Sequence, residues 1–121
     1  MPKSVPVLPG IEPSSYPFSQ VVEANGFVFT AGITPGDPSQ DVKGQTQQVL
    51  KEIDRLLKLC GTDKTKVVSA TIWVPDIRLR DSMNESWNAW TGGENLPGRA
   101  CIEAKLADPR LLVEIAVVAA K

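Results

Sequence analysis

The sequence LLVEIAVVA, residues 111–119, predicts a β-strand that is apolar on both of its faces. Its alternate positions carry Leu, Val, Ile or Ala on either side, and Glu114 is the one charged residue within it. A strand that is apolar on both sides needs cover on both sides of its sheet. We therefore expect helices on one face of this sheet and another subunit on the other.

The segment before this strand predicts its pairing partner. Residues 99–106 indicate a further strand, and the four residues ADPR (107–110) connect it to residues 111–119. Such a short connection predicts an antiparallel hairpin. In the register that this connection favours, Glu114 shares a face with Arg99 and Cys101, although a slip of one residue would reverse that placement.

Two elements near the start of the chain have clear local signals. Asn25-Gly26 stands between two short apolar runs and is typical of a type I′ turn in a β-hairpin. From Asp41 to Cys60 apolar residues recur at helical spacing. Asp41 is a good N-cap for this helix, and Gly61 can end it.

The middle of the chain supplies one more strand and one more helix. Residues 67–74 are rich in β-branched side chains, with Val68 and Ala70 expected on the same face. Ser82 and Glu85 form a capping-box pattern that predicts the start of a second helix, and Thr91-Gly92-Gly93 predicts its end. The element order is then ββαβαββ, which indicates an α+β fold with a mostly antiparallel sheet and two helices on one face.

Length and composition are those of an ordinary globular chain. The 121 residues fit a single domain, residues 1–121, in which the proline-rich residues 1–16 form an irregular lead segment. Thirteen basic and fourteen acidic residues leave a net charge of −1, so neither nucleic-acid binding nor membrane association is expected. The start of the chain has no apolar stretch typical of a secretory signal, and we expect a cytoplasmic protein.

The chain contains no histidine. This excludes Ser-His-Asp and Cys-His catalysis, histidine general bases and zinc sites that use histidine. Cys60 and Cys101 match no metal-ligand spacing, and we expect both to be unpaired. We expect no metal and no cofactor, which leaves carboxylates, Arg, Lys, Cys, hydroxyls and the backbone to carry any chemistry.

Three residues are candidates for that chemistry. Glu114 is a carboxylate within an apolar strand, and it is either an edge residue facing water or a proton-exchanging group in a pocket. Arg99 follows Leu96-Pro97-Gly98 and either binds an anion or forms a structural ion pair. Cys101 fits a core or pocket-wall position better than a nucleophile, because nothing obvious except Arg99 would lower its pKa.

These residues lie within a longer pattern that resembles the Rid family, also called the YjgF/YER057c/UK114 family. The resemblance runs from about Pro17 to Ala119. The matching pieces are Pro17-Phe18-Ser19-Gln20, Phe29-Thr30-Ala31-Gly32, Gln45 to Leu50, Val67 to Val74, Asn84 with Trp87, Leu96 to Cys101, and Val113-Glu114-Ile115. The resemblance implies a chorismate-mutase-like fold and a homotrimer with a site in each cleft between subunits.

It also implies hydrolysis of imines and enamines, such as 2-aminoacrylate, 2-iminopropanoate and 2-iminobutanoate, to a 2-keto acid and ammonia. Arg99 would bind the substrate carboxylate and Glu114 would activate water. Five further residues would line the pocket with Arg99, namely Cys101, Phe18, Thr30, Ala31 and Asn84. The small imino or keto acid is then the expected partner.

The sequence departs from the family pattern at several positions. Phe18 stands where a tyrosine is usual, Ala31 where a serine is usual, Ile33 where a polar residue is usual, and Gly98 where an alanine is usual. These changes remove polar groups and favour a bulkier or more apolar substrate. Two other functions stay open: a non-enzymatic trimer that binds small molecules or proteins, and an endoribonuclease or translation inhibitor, an old label of the family.

Overall fold

The computed structural model describes residues 3–5 and 17–121, and the predicted order ββαβαββ is confirmed. The strands are β1 (Val21–Ala24), β2 (Phe27–Thr30), β3 (Val67–Val74), β4 (Gly98–Glu103) and β5 (Glu114–Ala120). The helices are α1 (Val42–Leu59) and α2 (Arg80–Thr91). Of the lead segment, only residues 3–5 are described, and Ser4 pairs there with Glu23 of β1. The other predicted irregular residues lie outside the described part of the chain.

The β1–β2 hairpin forms as its turn sequence predicts. Asn25 and Gly26 have φ angles of 51° and 78°, and this pair of positive values defines the tight turn that the hairpin needs. The two strands pair from Val21 opposite Thr30 to Ala24 opposite Phe27.

Helix α1 also begins and ends where the sequence predicts. The Asp41 carboxylate accepts a hydrogen bond from the backbone N–H of Gly44 at 2.9 Å, which satisfies one of the free donors of the first turn. At the other end Cys60 is the C-cap, and Gly61 has a φ of 79° that lets the chain leave the helix.

The capping box predicted for α2 is wrong. The helix begins two residues earlier than Ser82, at Arg80, and no side chain caps it. A short 3-10 turn precedes it directly, and Asp76 caps that turn by accepting from the N–H of Arg78. Glu85, the other half of the expected box, instead forms an ion pair with Lys43 of α1 at 2.7 Å.

The sheet has the strand order β1-β2-β5-β3-β4, so the predicted hairpin of the last two strands is wrong. β5 lies between β2 and β3 and is antiparallel to both, whereas β4 pairs only with β3 and is parallel to it. Residues 104–113 do not extend either strand but carry the chain from the edge of the sheet past β3. The most apolar strand thereby gains two neighbours, which explains its position inside the sheet.

One face of the sheet packs against both helices, as predicted. The buried residues of this helix face include Val28, Ala70, Ile72, Ile115 and Val117, which join the apolar side of α1 in one core. A bulge between Val67 and Ser69 interrupts the alternation in β3, so Val68 is 47% exposed and does not share the face of Ala70 as expected.

The other face, which we call the open face, carries Phe27, Phe29 and Ile102, each exposed by 39% or more. Trp73 and Glu114 lie on the same face, and both residues are half-buried. In residues 3–5 and 17–121, no helix combines the length and the apolar character needed to cross a membrane.

Candidate functional site

Arg99 lies on β4, at the edge of the sheet, and points to the helix face. Its place in the register is beside Ala70, a buried core residue of β3. Its Nη1 donates a hydrogen bond to Oδ1 of Asn84 on α2 at 2.7 Å. The guanidinium also lies over the ring of Trp87, with Cζ 5.3 Å from a ring centroid. Both partners stand one helical turn apart on α2, so this helix holds the Arg99 side chain in place.

We call Arg99, Asn84, Trp87 and Cys101 the arginine group. Cys101 follows two residues after Arg99 on the same face, opposite Ile72 of β3. It is half-buried, packs against the core and is a free thiol. This placement is consistent with the prediction that Cys101 is a core or pocket-wall residue.

Glu114 lies at the start of β5 on the open face, opposite Trp73 of β3. Next to it, Ile33 and Ile115 exchange two backbone hydrogen bonds of 2.8 and 3.0 Å, which draws Gly32 against the Glu114 side chain. A Cβ built on Gly32 would overlap Oε2 of that carboxylate. We call Glu114 and Gly32 the glutamate group.

A tight turn does not explain the glycine at position 32. The glycines with positive φ among the described residues do not include it. Gly32 is needed because the carboxylate of Glu114 occupies the space in which any other side chain would begin. Sequence reasoning missed this role, since the contact joins residues more than eighty positions apart.

Burial raises the pKa of Glu114 above its ordinary value of 4.5. In the described part of the chain no hydrogen bond or ion pair stabilises its charged form. A carboxyl group in this state is protonated to a greater extent near neutral pH than an ordinary glutamate. It is therefore suited to accept and return a proton during a reaction.

Replacing Gly32 with Ala tests the close approach. The new methyl group would displace the Glu114 carboxylate, and we expect any proton transfer that Glu114 performs to slow about 10- to 100-fold, as misplaced reacting groups generally do. Binding of a carboxylate ligand through Arg99 should change little. Steady-state kinetics and ligand titration of G32A give both values, with Gly36→Ala as the matched control because a Cβ at Gly36 meets open space. Equal losses in the two variants would contradict this role of Gly32.

Within one chain, Arg99 and Glu114 do not share a site. Glu114 aligns with Trp73 and Ile102 on the open face, whereas Arg99 lies on the helix face. They are also two strands and three residues apart, so their Cα atoms are separated by roughly 14 Å. The predicted common face is wrong because it assumed that β4 pairs with β5.

The other predicted pocket residues, Thr30, Ala31 and Phe18, lie in or next to the β1–β2 hairpin. The hydroxyl of Thr30 accepts a hydrogen bond from the backbone N–H of Val117 at 3.0 Å. This bond continues the contact between β2 and β5 beyond their last paired residues. The N–H of Ala31 donates to the carbonyl of Gln20. Phe18 lies three residues before the start of β1, and it is 50% exposed.

Ile33 is only 4% exposed and belongs to the core. Its apolar side chain therefore serves packing and does not remove a polar group from a pocket. Phe18 and Ala31, by contrast, lie outside the buried core.

Comparisons with known proteins agree with this architecture. Residues 11–121 match the family model described as Endoribonuclease L-PSP. A RutC family protein of Haemophilus ducreyi is 44% identical over 103 residues, which cover 85% of this chain and 88% of that protein.

Two solved structures extend the comparison to the fold. NMB1025 of Neisseria meningitidis, a member of the YjgF protein family, is 41% identical, with a TM-score of 0.83 over 88% of this chain and 90% of its own. YyfA of Yersinia pestis, from the Rid protein family, is 32% identical, with a TM-score of 0.89 over 99% and 100% of the two chains. The chain belongs to the Rid family, also called the YjgF/YER057c/UK114 family.

Proposed function

We propose that this protein hydrolyses reactive imines and enamines, of the 2-aminoacrylate, 2-iminopropanoate and 2-iminobutanoate type, to a 2-keto acid and ammonia. The observation that carries the proposal is the placement of Arg99 and Glu114 on opposite faces of one sheet. A cleft between two subunits, formed by the arginine group of one and the glutamate group of the next, would unite a carboxylate anchor with an acid/base group.

The open face supports such an assembly. Phe27 and Phe29 on β2 and Ile102 on β4 are exposed on the same sheet face as Glu114, and a second subunit would cover them. Contact between two different surfaces of identical subunits closes into a ring when the rotation permits. The resemblance to the Rid family indicates a ring of three, with one cleft at each contact.

In each cleft Arg99 would bind the carboxylate of the substrate by charge-assisted hydrogen bonds. An iminium carbon is already electrophilic, so the reaction needs little beyond orientation and proton transfer. Glu114 would take a proton from water as the new C–O bond forms. It would then return that proton to nitrogen, which gives a carbinolamine that carries an ammonium group. As the C–N bond breaks, ammonia would leave and the hydroxyl proton would pass to Glu114, which leaves the 2-keto acid.

An enamine substrate would enter by the same route. A proton added at its methylene carbon, with one lost from nitrogen, converts 2-aminoacrylate to 2-iminopropanoate. Water then adds as above. The absence of polar groups on the side chains of Phe18 and Ala31 favours substrates with an apolar substituent at this end.

An assay that generates 2-iminobutanoate or 2-iminopropanoate in situ tests the proposal. We expect the wild-type protein to accelerate release of the keto acid over the protein-free reaction, and Arg99→Ala to lose this acceleration. Keto-acid release at the same rate with and without the protein would overturn the deaminase activity. Binding of 2-ketobutyrate without turnover would instead support the alternative of a non-enzymatic binding protein.

The description of the matching family model favours a second candidate, an endoribonuclease. A net charge of −1 offers little attraction for RNA, and the chain has no histidine. RNA cleavage by the wild-type protein that is lost in both Arg99→Ala and Glu114→Gln would support this candidate. Cleavage that survives both substitutions would show that another protein in the preparation is responsible.

A further inference from the structure

We propose that Asn84 and Trp87 are positioning residues that fix the guanidinium of Arg99 and determine which of its edges binds the substrate carboxylate. This inference deepens the proposed function and rests on Arg99 as the anchor. It differs from the sequence-based expectation that Asn84 contacts the substrate itself.

The geometry leaves one edge of the guanidinium available. Arg99 has five N–H donors in a planar fork. Asn84 accepts from Nη1 at 2.7 Å, and the ring of Trp87 covers one face of the group. Among residues 3–5 and 17–121, no acceptor takes the N–H groups of Nε and Nη2. These two donors are parallel, and they match the two oxygens of a carboxylate in a side-on bidentate pair.

The chemistry of the two partners suits this task. The Asn84 amide is neutral, so it orients the guanidinium without cancelling the charge that attracts the substrate. The face of the Trp87 ring is the electron-rich side of the indole, and a separation of 5.3 Å is within the range of a cation–π contact. Trp87 is itself 4% exposed and packed in the core, so the surface on which Arg99 rests is rigid.

Because Arg99 is already held in place before a ligand arrives, we expect it to bind the ligand more tightly. A free arginine side chain loses rotamer freedom when it binds a carboxylate, whereas one that is already held loses less. An aspartate in place of Asn84 would form a permanent ion pair with Arg99 and compete directly with the ligand. Residue 84 must therefore carry a neutral amide, and not an acid, for Arg99 to remain available to the ligand.

Titration of the full-length protein with 2-ketobutyrate, followed by NMR so that millimolar affinities are measurable, tests the proposal. We expect Asn84→Ala to weaken binding about 10-fold and Asn84→Asp about 100-fold. Once Arg99→Ala is present, adding Asn84→Ala should have no further effect, because Asn84 acts only through Arg99. Binding of the uncharged amide, 2-ketobutanamide, should change less than twofold in Asn84→Ala.

A pair of tryptophan variants supplies the matched control. Trp87→Leu should weaken 2-ketobutyrate binding severalfold, and Trp87→Phe should restore part of it. Trp90 stands on the same helix but has Lys64, not Arg99, over its ring at 5.8 Å. Trp90→Phe keeps an aromatic ring against Trp87, whose centroid lies 5.3 Å from that of Trp90, and should therefore leave ligand affinity unchanged. Melting temperatures identify any variant that fails to fold, and the Asn84 variants then decide the outcome, since Asn84 lies outside the buried core.

A further loss of binding when Asn84→Ala is added to Arg99→Ala would overturn the inference and show direct contact with the ligand. Equal affinities of Asn84→Asp and wild type would overturn it as well. Binding of 2-ketobutyrate without any turnover would overturn the proposed reaction alone. A wild-type protein that binds no 2-ketobutyrate would overturn both.

Discussion

Mixing two variants, Arg99→Ala and Glu114→Gln, should restore about a quarter of the deaminase activity proposed for the wild type once their subunits have exchanged at random within closed rings. Each proposed cleft takes Arg99 from one subunit and Glu114 from its neighbour. In a random mixture, one cleft in four joins an intact arginine to an intact glutamate. Such recovery is impossible if both residues act within the same subunit.

Each parent variant should be nearly inactive. Arg99→Ala removes the only charged anchor proposed for the substrate carboxylate, which generally costs about 100-fold or more. Glu114→Gln keeps the shape of the side chain but cannot take a proton from water, and loss of a general acid/base group costs about 100-fold. The expected recovery is thus far above the activity of either parent.

The experiment uses the two variants with different affinity tags, unfolded together, refolded and purified through both tags in turn. Keto-acid release is then measured on oligomers known to contain both chains, which in a ring of three have one complete cleft out of three and should show about a third of the wild-type activity. The control mixes Arg99→Ala with a double variant that carries both substitutions, in which no cleft is complete. Doubly tagged oligomers that are as inactive as this control would contradict the shared cleft.

The structural elements that could be predicted from the sequence are those determined by residues close together in the chain. Asn25-Gly26 adopts the positive φ angles of its turn, and Asp41 caps α1, because each effect operates within four residues. Residues 67–74 form a strand with the bounds that their composition indicates.

The pairing of β4 and β5 could not be predicted in this way. A short connection favours a hairpin, but the position of β5 depends on which distant strands offer apolar neighbours on both sides. β2 and β3 do so, and β4 remains at the edge. The same long-range choice decides the register, and with it the faces on which Arg99 and Glu114 lie.

The candidate site shows the same division. Arg99 and Glu114 could be selected from residue type, pattern and family resemblance. Asn84 could be assigned to the pocket from the family resemblance, but its bond to Arg99 could not be predicted, because α2 brings the two together only in the folded chain. The contact of Trp87 with Arg99, and the approach of Gly32 to Glu114 through an isolated pair of backbone hydrogen bonds, likewise have no signal in a single sequence.

Gln45 is the polar residue whose loss should destabilise the fold most. It lies on α1 and is fully buried. Its Oε1 accepts from the N–H of Leu112 at 2.8 Å, and its Nε2 lies 3.1 Å from the carbonyl of Arg110. The same nitrogen also donates toward the carbonyls of Pro38 and Gln40. One side chain therefore ties the loop before α1 to the segment that leads into β5 and Glu114.

Replacing Gln45 with Ala should lower the free energy of unfolding by about 3 kcal/mol, since it leaves buried backbone groups without partners. A loss of this size lowers the melting temperature by roughly 10 °C in a chain of this length. Gln48→Ala is the matched control. Gln48 stands one turn later on α1 and makes a similar pair of bonds to the backbone of Asp37, at 2.9 and 3.0 Å, but at an exposed position. We expect it to cost less than about 1 kcal/mol.

Gln45→Glu separates the loss of hydrogen bonds from the loss of volume. Glutamate has the size of glutamine and can still accept from the N–H of Leu112, but its second oxygen would face the carbonyls to which Nε2 now donates. At neutral pH this places an unpaired charge in the core, so the variant should be less stable than Gln45→Ala. Protonation at low pH turns that oxygen into a donor and should recover part of the difference. Denaturant unfolding of the three variants at pH 7 and pH 5 measures these effects. Equal stability of Gln45→Ala and Gln48→Ala would show that Gln45 does not anchor the segment before β5.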